Sequence, residues 1–442
     1  MIEYKDKKIV IIGLGVTGIS CITFFLERGV LPRVMDTRLN PPNIRDIPKY
    51  IECYLGGFNI NWLLQSDLIV VSPGVSLAHI ELQQAINKGI EIIGDIELFC
   101  RELNSPIIAI TGSNGKSTVT TLVNEMAKAA GYQVAMGGNI GLPVLDLLGM
   151  QKQQLYILEI SSFQLELTNS LQANVAALLN ISEDHLNRYP LGINQYRNTK
   201  MRIYKNASYC VINKDDKLAI PVFNNKQSYI SFGMHDGDYH FINKNGKIYI
   251  KSIYYDQIFN TAEMKIMGIH NYINALSALA IVGVLELPYM SSLATLVSFT
   301  GLKHRFQVIC QHNSVKWIND SKATNIKSTE AALCSLYFRG TLWLLLGGDS
   351  KGADFSSLIN YILQKKIKIF CFGQDGAKIA ALQPKISTYT ETMQQAVNKI
   401  ASLVRPNDIV LLSPACSSLD QFNSFEHRGD VFIKLVKDII KN

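Results

Sequence analysis

The sequence predicts an α/β protein of three domains. A Rossmann-like N-terminal domain is followed by a central domain with a parallel sheet and a small antiparallel β insert, and then by a Rossmann-like, doubly wound C-terminal domain. Three observations favour this class. The chain of 442 residues is too long for one hydrophobic core. Short apolar runs alternate with longer helical stretches, as in βα repeats. Glycine-rich or polar turns follow many of these runs, where sheets of this type bind ligands.

The composition is that of a globular protein and disfavours several classes of function. Hydrophobic residues make up 48% of the chain and charged residues 18%, which argues against disorder. The net charge of +7 is spread without a dense Lys/Arg run, so it favours small anionic substrates over nucleic acid. The eight cysteines are scattered and include no Cys-x-x-Cys pair, which indicates reduced thiols rather than a zinc site or disulfides.

We expect a cytoplasmic protein with no signal peptide and no membrane insertion. The N-terminus carries Glu3 and Asp6 where a signal peptide needs a basic start. The longest apolar helix, around Leu276–Leu287, contains Glu286 and is too short to span a bilayer.

The first domain, residues 1–93, opens with a dinucleotide-type motif. Lys8–Ile12 reads as a buried strand and leads into the loop Gly13-Leu-Gly-Val-Thr-Gly18. Asp36 ends the next short strand, where an acid can bind a ribose hydroxyl. Taken alone, the motif indicates NAD and a dehydrogenase. Any ligand with a diphosphate and a ribose would satisfy it equally, and the glycines could also serve packing alone.

The second domain, residues 94–299, is organised around Thr111-Gly-Ser-Asn-Gly-Lys-Ser-Thr118. The run Ile107–Ile110 predicts a buried strand before this loop, and Ser117–Ala130 predicts a helix after it. Backbone N–H groups of such a loop cradle the phosphates of ATP or GTP, Lys116 adds positive charge, and the Ser117 hydroxyl can ligate Mg²⁺. An isoleucine replaces the first glycine of the usual pattern. The alternative is an ordinary turn with a solvated lysine, which the flanking strand and helix disfavour.

Polar residues follow the neighbouring strands of this predicted P-loop ATPase domain. Glu159 comes after the run Leu155–Leu158, where an acid beside a P-loop contacts Mg²⁺, although the region could also be a helix N-cap. His185 follows the strand Val175–Asn180 and fits a structural role as well as a catalytic one.

Two further stretches complete the second domain. Tyr196–Tyr204 predicts a helix that carries Lys200, and by itself this helix reads as a solvated basic face. Ser208–Thr261 alternates short β-like runs with Asn/Gly/Asp turns, which predicts the small antiparallel insert.

The third domain, residues 300–442, repeats the pattern of a polar cluster after an apolar strand. The clusters are Asn319-Asp-Ser-Lys-Ala-Thr-Asn325, Gly347-Gly-Asp-Ser-Lys-Gly352 and Ser413-Pro-Ala-Cys-Ser-Ser-Leu-Asp420. Arg305 lies in the linker-like stretch before them, from which it can reach into a cleft. This repetition predicts a doubly wound sheet with a ligand-binding edge.

Six phrases distributed along the chain carry a resemblance. They are Thr111–Thr118, Glu159-Ile-Ser-Ser-Phe-Gln164, Asn180-Ile-Ser-Glu-Asp-His185, His270-Asn271 with Asn274, His304-Arg305-Phe306 and Asn319-Asp-Ser-Lys-Ala-Thr324. With them the chain resembles the Mur ligase family, whose P-loop has the same shortened form. Ser72-Pro-Gly74, Gly94-Asp-Ile-Glu-Leu-Phe99 and Ser413–Phe422 are similar to its D-glutamate-adding branch.

The resemblance implies an ATP-dependent ligase that forms an amide bond. Such an enzyme adds D-glutamate to UDP-N-acetylmuramoyl-L-alanine through an acyl phosphate, releases ADP and phosphate, and serves peptidoglycan precursor synthesis in the cytoplasm. The implied partners are small molecules, with neither nucleic acid nor membrane among them. We further expect a monomer that uses two Mg²⁺ ions with ATP as co-substrate.

The resemblance also implies a role for each matching position. The UDP substrate would be held by Gly15, Val16, Thr17, Gly18, Asp36, Thr37, Arg38, Gly74, Asn139 and His185. ATP would be held by Gly112, Ser113, Asn114, Gly115, Lys116, Ser117, Thr118, Asn271, Asn274, Arg305 and Asp320. D-Glutamate would be received by Thr324, Lys351, Ser418 and Phe425. The metal ligands would be Ser117, Glu159, His185 and Lys200, and the catalytic residues Lys116, Glu159, His185, Lys200 and Arg305.

Lys200 needs a modification to serve as a metal ligand. An ordinary ammonium group, with a pKa of about 10.4, would repel Mg²⁺. In the family the matching lysine is carbamylated by CO₂, which creates the oxygen anion that Mg²⁺ accepts. We therefore expect a carbamate on Lys200.

Three other functions have to be weighed. A nicotinamide-dependent dehydrogenase would explain the glycine loop Gly13–Gly18 but not the P-loop. A P-loop switch that binds a partner would explain the P-loop but not the remaining motifs. A sister ligase, such as another Mur ligase or a folate polyglutamylating enzyme, would share the central motifs and differ in its substrates.

Overall fold

The computed structural model describes residues 4–184, 188–222, 227–266, 268–336, 338–363 and 366–441. The chain divides into two compact units, the first comprising Met1–Thr261 with Ile273–Val297 and the second Ala262–Tyr272 with Ser298–Asn442. The first unit contains two sheets and the second contains one. These three sheets agree with the predicted α/β fold of three domains, whereas the predicted boundaries near residues 94 and 300 stay predictions.

The first sheet has five parallel strands in the order β3-β2-β1-β4-β5, as in a Rossmann domain. Every residue of the central strands β1 and β4 is buried, as expected of parallel strands covered on both faces. The strand order reverses between them, so the loops after β1 and β4 meet at the ligand-binding edge. The elements are β1 (Ile9–Ile12), α1 (Val16–Leu26), β2 (Arg33–Asp36), β3 (Cys53–Leu55), α2 (Ile60–Leu64), β4 (Leu68–Val71), α3 (Ile80–Asn87) and β5 (Glu91–Ile93).

The second sheet has nine strands in the order β14-β13-β12-β11-β10-β9-β6-β8-β7. Its strand β6 carries the P-loop and lies between β8 and β9, so the loops after these three strands are neighbours. The elements are α4 (Asp95–Glu102), β6 (Ile107–Thr111), α5 (Lys116–Ala129), β7 (Val134–Gly138), β8 (Leu155–Glu159), α6 (Ser162–Glu166), β9 (Val175–Leu178), α7 (Ile193–Met201), β10 (Tyr209–Asn213), β11 (Ser228–Gly233), β12 (Tyr239–Lys244), β13 (Lys247–Ser252), β14 (Phe259–Asn260), α8 (Ile269–Val284) and α9 (Tyr289–Ser298).

The stretch predicted as a small antiparallel insert is only partly antiparallel. Strands β12, β13 and β14 pair antiparallel, as predicted. Strands β10 and β11 instead continue the parallel sheet beyond β9, and β11 also pairs parallel with β12. The short runs of the sequence could not show this difference, because the pairing direction depends on where the connecting segments cross.

The third sheet has six strands in the order β15-β16-β20-β17-β18-β19. Only the edge strand β15 runs antiparallel to its neighbour. The central trio β16-β20-β17 places the three polar clusters of this domain beside one another. The elements are β15 (Gln307–His312), β16 (Val315–Asn319), α10 (Ile326–Cys334), β17 (Leu342–Gly347), α11 (Ser356–Leu363), β18 (Ile367–Phe372), α12 (Gly376–Leu382), β19 (Ser387–Tyr389), α13 (Met393–Ala401), β20 (Ile409–Leu412) and α14 (Phe425–Lys441).

Across the described ranges, no helix is both long and apolar enough to cross a membrane.

Candidate active site

The glycine loop after β1 packs closely against its own turn and against the loop after β4. A side chain at Gly18 would overlap the carbonyl oxygen of Gly13, so glycine is required there. The Ser72 hydroxyl donates to that same carbonyl, at 3.2 Å. The predicted residues Gly15, Val16, Thr17 and Gly18 therefore lie at the start of α1, on the same edge of the sheet as the turn that contains Gly74.

Asp36 is buried and uses both of its oxygens to hold the surrounding chain. Oδ2 accepts from the backbone N–H of Leu14 at 2.7 Å and from Arg38 Nη2 at 2.7 Å. Oδ1 accepts from Arg38 N at 2.8 Å and Arg38 Nε at 2.9 Å. Burial would raise the pKa of Asp36, but these hydrogen bonds, above all those from Arg38, outweigh it and lower the pKa.

The hydrogen bonds of Asp36 bear on its predicted contact with a ribose hydroxyl. A carboxylate has about four acceptor positions, and the four hydrogen bonds to Asp36 occupy them. The expected contact with a ribose hydroxyl stays a prediction, but the structure favours an indirect role in which Asp36 orients Arg38. The Arg38 side chain is 51% exposed and follows Thr37 at the ligand edge of the sheet.

The P-loop is hydrogen-bonded to the segment after β9. The backbone N–H of Asn114 donates to Asn180 Oδ1 at 2.8 Å, and Asn180 Nδ2 donates to the Asn114 carbonyl at 3.0 Å. The backbone N–H of Ser113 donates to the Asn180 carbonyl at 2.9 Å. Asn180 thus pairs with the loop much as a neighbouring strand would, and this role was not predicted. The signal available was an asparagine directly after a buried strand.

Gly115 is the N-cap residue directly before the P-loop helix α5 and has the left-handed conformation, with φ of +82°. A Cβ atom at this position would collide with the side-chain oxygen of Asn274 on α8. Asn274, predicted as an ATP ligand, therefore does lie against the P-loop. Ser117 and Thr118 are buried in the first turn of α5.

Lys116 and Lys200 converge on one carbonyl oxygen of the P-loop. Lys116 Nζ donates to the Gly112 carbonyl at 2.8 Å and to that of Ser113 at 3.0 Å. Lys200 Nζ donates to the same Gly112 carbonyl at 2.9 Å and to Thr111 Oγ1 at 3.2 Å. The two amino groups therefore lie close together, and the repulsion between two positive charges disfavours the state in which both are protonated.

The expectation of a solvated basic face for Lys200 is wrong. Its side chain is 1% exposed, and the predicted helix ends at Met201. Burial, and next the charge of Lys116, lowers the pKa of Lys200 well below its ordinary value, against the weaker opposing effects of Asp184 and Glu159. Tyr196 lies one turn earlier on the same face of the helix and is also buried. This face is therefore buried although its side chains are polar, which the pattern of polar residues could not show.

Glu159 ends β8 beside the P-loop and fits a Mg²⁺ ligand. Its Oε1 accepts from Asn139 Nδ2 at 2.7 Å, and its buried Oε2 has no hydrogen-bond partner. A buried carboxylate oxygen without a partner, at the end of the strand that pairs with β6, suits a hard cation with oxygen ligands. Among the described residues no group of three His, Cys, Asp or Glu side chains forms a metal cluster. His185, the other predicted ligand, lies outside the described residues.

The remaining predicted ATP ligands belong to the second unit. Asn271 lies near the start of α8, and Arg305 lies just before β15. Asp320 follows β16 and is buried, with Oδ1 accepting from the Phe306 backbone N–H at 3.0 Å and Oδ2 from Ser413 Oγ at 2.8 Å. Burial raises the pKa of Asp320 to about 7. The contribution of these three residues to the P-loop site stays a prediction.

The predicted D-glutamate ligands follow the three central strands of the third sheet. Thr324 follows β16, Lys351 follows β17, and Ser418 follows β20. The loops after β17 and β20 are joined by backbone hydrogen bonds between Asp349 and Ser417, of 3.1 and 2.8 Å. Phe425 begins α14, and its carbonyl accepts from Ser321 Oγ at 2.8 Å, which ties it to the loop before Thr324. The structure thus brings all four positions to one edge of the sheet.

Arg428 organises this edge and was not predicted. Its side chain is fully buried and donates to Ser321 Oγ at 3.0 Å, to the Ser321 carbonyl at 2.8 Å and to the Cys416 carbonyl at 3.1 Å. It therefore joins the loop after β16 to the loop after β20. Burial lowers the pKa of Arg428 to about 10. An arginine in a charged C-terminal helix gives no sequence signal for such a role.

Comparison with known proteins decides which family combines these features. Models of three consecutive domains match the chain: "Mur ligase MurD-like, N-terminal domain" over residues 7–94, "Mur ligase middle domain" over 110–282 and "Mur ligase, glutamate ligase domain" over 304–416. A relative from Salmonella typhimurium is 57% identical over 439 residues, which cover 99% of this chain and 100% of the relative. The chain belongs to the Mur ligase family.

Two relatives illustrate this membership of the Mur ligase family. The Salmonella protein is named UDP-N-acetylmuramoylalanine--D-glutamate ligase, and so is a relative from Escherichia coli O6:H1 that is 56% identical over 99% of this chain and 100% of its own length. The resemblance inferred from the motifs is thereby confirmed.

Solved structures of several ligases show the same fold at low sequence identity. They include a pseudomurein peptide ligase type C from Methanothermus fervidus, with a TM-score of 0.64, 18% identity and coverage of 99% of both chains. The MurF ligase from Thermotoga maritima in complex with ADP has a TM-score of 0.64 and 16% identity, covering 100% of this chain and 97% of its own. MurC from Thermotoga maritima has a TM-score of 0.61 and 17% identity, covering 98% and 99%.

Proposed function

We propose that this Mur ligase uses ATP to join D-glutamate to UDP-N-acetylmuramoyl-L-alanine, a step in the synthesis of peptidoglycan precursors. The observation that carries the assignment is the 57% identity along the whole length of a relative named for this substrate and this amino acid. The products are the amide, ADP and phosphate. The use of ATP and of a sugar nucleotide points to a cytoplasmic enzyme, and we expect it to act as a monomer.

The P-loop binds ATP with its backbone N–H groups and with Lys116. The start of α5 directs positive partial charge at the phosphates, and the Asn180 pairing keeps the loop shaped for them. We assign Asn274 to the bound nucleotide, and its position against Gly115 supports this assignment. We assign Asn271, Arg305 and Asp320 to the same nucleotide, with the Arg305 guanidinium directed at the transferring phosphoryl group.

Mg²⁺ accompanies the nucleotide, and Ser117 and Glu159 are its first ligands in this proposal. When bound, the ion neutralises charge on the phosphate oxygens and so makes the terminal phosphorus more open to attack. The buried and unpartnered Oε2 of Glu159 supports this assignment. Asn139, which donates to Oε1, restrains the orientation of the carboxylate and leaves Oε2 for the ion. His185 and Lys200 are assigned to a second ion.

The depressed pKa of Lys200 supports the carbamate on that residue. A carbamate forms when an uncharged amine attacks the carbon of CO₂, so that an N–C bond forms and the nitrogen gives a proton to solvent. Burial and the neighbouring Lys116 supply the uncharged amine. The product is an anion with two oxygens, and it removes the conflict between two ammonium groups at the Gly112 carbonyl.

The reaction proceeds in two displacements. A carboxylate oxygen of the L-alanine residue attacks the terminal phosphorus of ATP, which forms an acyl phosphate and releases ADP. The amine of D-glutamate then attacks the acyl carbon, an N–C bond forms, the C–O bond to phosphate breaks, and the amine proton passes to solvent or a nearby base. Lys116 and Arg305 stabilise the charge on the transferred group. Lys351, Thr324, Ser418 and Phe425 hold the incoming amino acid.

The glycine loop of the first sheet holds the uridine diphosphate in this proposal. Backbone groups at Gly15 to Gly18 face the diphosphate at the start of α1, and Arg38 and Thr37 contact the nucleoside end. Asp36 contributes by orienting Arg38. The same loop in a dehydrogenase would hold a nicotinamide cofactor, but that reading leaves the neighbouring P-loop without a purpose.

The test is phosphate release from ATP by purified protein supplied with UDP-N-acetylmuramoyl-L-alanine. D-Glutamate, L-glutamate and diaminopimelate are compared as the amino-acid substrate, and the coupled product is identified by its mass. We expect release that depends on both the sugar nucleotide and D-glutamate. Release supported better by diaminopimelate or L-glutamate would assign the chain to a sister ligase instead, and release without any amino acid would favour a P-loop switch.

A further inference from the structure

We propose that Arg188 is a positioning residue that locks the sugar-nucleotide loop of the first sheet to the Mg²⁺ ligand of the second sheet. The inference rests on the proposed function, since it concerns how the two substrates of that reaction are held in register. Arg188 was not predicted as a site residue, and the contacts described below are with Val75, Phe163 and Glu166, none of which is a predicted ligand.

The Arg188 side chain makes three kinds of contact in a mostly buried setting. Its Nη2 donates to the Val75 carbonyl at 3.0 Å and to Glu166 Oε2 at 3.0 Å. Its guanidinium lies over the ring of Phe163, 4.7 Å from the centroid. The side chain of Arg188 is 10% exposed and that of Glu166 is 18% exposed. An ion pair at this depth is weakly screened by solvent, so its geometry is held more firmly than that of a surface pair.

The Val75 contact fixes the loop that we assign to the UDP substrate. The backbone N–H of Val75 donates to the Ser72 carbonyl at 3.0 Å, which closes the turn containing Gly74. The Ser72 hydroxyl in turn donates to the Gly13 carbonyl of the glycine loop, at 3.2 Å. A displacement of the Val75 carbonyl is therefore passed directly to both loops of the sugar-nucleotide site.

The contacts with Phe163 and Glu166 fix helix α6, which directly follows the Mg²⁺ ligand. Only Ile160 and Ser161 separate Glu159 from the first residue of α6. A capping box joins Ser161 to Gln164, so the segment after Glu159 and the first turn of α6 form one rigid piece. Arg188 therefore contacts helix α6 through Phe163 and Glu166, and the sugar-nucleotide loop through Val75.

This link matters because the reaction joins atoms from both sites. The carboxylate of the sugar nucleotide must lie about 3–3.5 Å from the terminal phosphorus of ATP, and misplacement by about 1 Å can cost about 100-fold in rate. Arg188 joins the sugar-nucleotide loop to the segment after Glu159. It can therefore affect the distance between the carboxylate and the phosphorus without contacting either substrate.

The experiment compares Arg188→Ala with a control arginine in the same unit. Arg28 makes the same three kinds of contact, to the Phe24 carbonyl at 3.1 Å, to Glu102 at 3.3 Å and to the Phe24 ring at 3.7 Å. It lies just after the last residue of α1, at the end remote from the glycine loop. Arg28→Ala should therefore reproduce the loss of stability without the loss of alignment.

We expect Arg188→Ala to raise KM for UDP-N-acetylmuramoyl-L-alanine and to lower kcat, with a combined loss of about 100-fold in kcat/KM. The KM for ATP should change much less, and Arg28→Ala should keep both constants near those of the wild type. Arg188→Lys should recover part of the loss, because an ammonium group has three donors and can reach both oxygens, although it lacks the planar stacking on Phe163. Thermal unfolding is measured for every variant.

The outcomes separate the inference from the function on which it rests. If the wild type shows no turnover that depends on D-glutamate, the proposed function fails. If the wild type is active and Arg188→Ala loses no more kcat/KM than Arg28→Ala, the positioning role is refuted. Should Arg188→Ala fail to fold, Glu166→Gln provides the milder test, since it removes the charge partner and keeps an acceptor. A KM for the sugar nucleotide that is unchanged in Glu166→Gln would then overturn the proposal.

Discussion

Substitution of Gly115 by alanine tests whether the P-loop geometry is what gives the site its affinity for ATP. Gly115 has a φ of +82°, and an L-residue in this left-handed region costs about 1–2 kcal/mol. The added methyl group would also collide with the side-chain oxygen of Asn274, so either the loop or that side chain has to move. We therefore expect Gly115→Ala to lose stability and, in addition, to lose ATP binding.

Gly131 provides a matched control for the backbone part of this effect. It has a φ of +88° just after α5, and a Cβ atom there would meet nothing within 4 Å. Gly131→Ala should lower the free energy of unfolding by the same amount, about 1–2 kcal/mol. Because it has no neighbour to displace, it should leave the KM for ATP unchanged.

The assay measures unfolding by denaturant and the KM for ATP by phosphate release for both variants. The difference in KM between Gly115→Ala and Gly131→Ala isolates the collision at the P-loop, and we expect at least about 10-fold, which corresponds to about 1.4 kcal/mol. Equal KM values for the two variants would refute the reasoning. Because Asn274 is itself assigned to the nucleotide, Gly115→Ala is also made in an Asn274→Ala background, and a smaller rise in KM for ATP there than in the wild-type background would identify the collision as the cause.

Two further substitutions test single residues of the site, and a third tests the buried carboxylate Asp95 at the start of α4. Lys200→Ala should be inactive and should regain some activity with added acetate, whose carboxylate replaces the carbamate; no rescue at any acetate concentration would contradict the carbamate role. Glu159→Gln should raise the Mg²⁺ concentration needed for half-maximal turnover by about 10-fold or more while the unfolding midpoint stays close to that of the wild type; an unchanged requirement would remove Glu159 from the metal site. Burial raises the pKa of Asp95 to about 6, so the folded state binds a proton that the unfolded state has released between about pH 4 and 6. The free energy of unfolding of the wild type should therefore fall relative to that of Asp95→Asn as the pH rises through this window, by up to about 3 kcal/mol, and parallel pH curves would argue against the burial effect.

The sequence predicted the buried strands and the ligand-binding loops that follow them, because both have a local signature in the sequence. The apolar runs before Thr111 and before Asn319 are buried parallel strands, as parallel sheets covered on both faces require. The glycines and polar residues after them mark the ligand edge because loops at that edge need both backbone freedom and polar groups. Strand direction within residues 208–261 was not accessible, since the tertiary crossover decides it.

The site residues that escaped prediction act through tertiary contacts. Asn180 pairs with the P-loop, Arg188 joins two sheets of the first unit, and Arg428 joins two loops of the third sheet. Each lies in a stretch whose polar character also suits a solvated surface, so periodicity alone cannot separate the two roles. Lys200 shows the same difficulty: its helix pattern indicated a solvated face, and only the family resemblance assigned Lys200 to the metal site.

The claim on which the account depends is that ATP activates the carboxylate of the sugar nucleotide before the amine attacks. UDP-N-acetylmuramoyl-L-alanine carrying a heavy oxygen isotope in its terminal carboxylate is incubated with ATP, D-glutamate and the enzyme, and the mass of the released phosphate is measured. We expect phosphate that contains one heavy oxygen, because the bond that breaks in the acyl phosphate is the one between the acyl carbon and the oxygen. Phosphate without the isotope, released while the amide product accumulates, would contradict it.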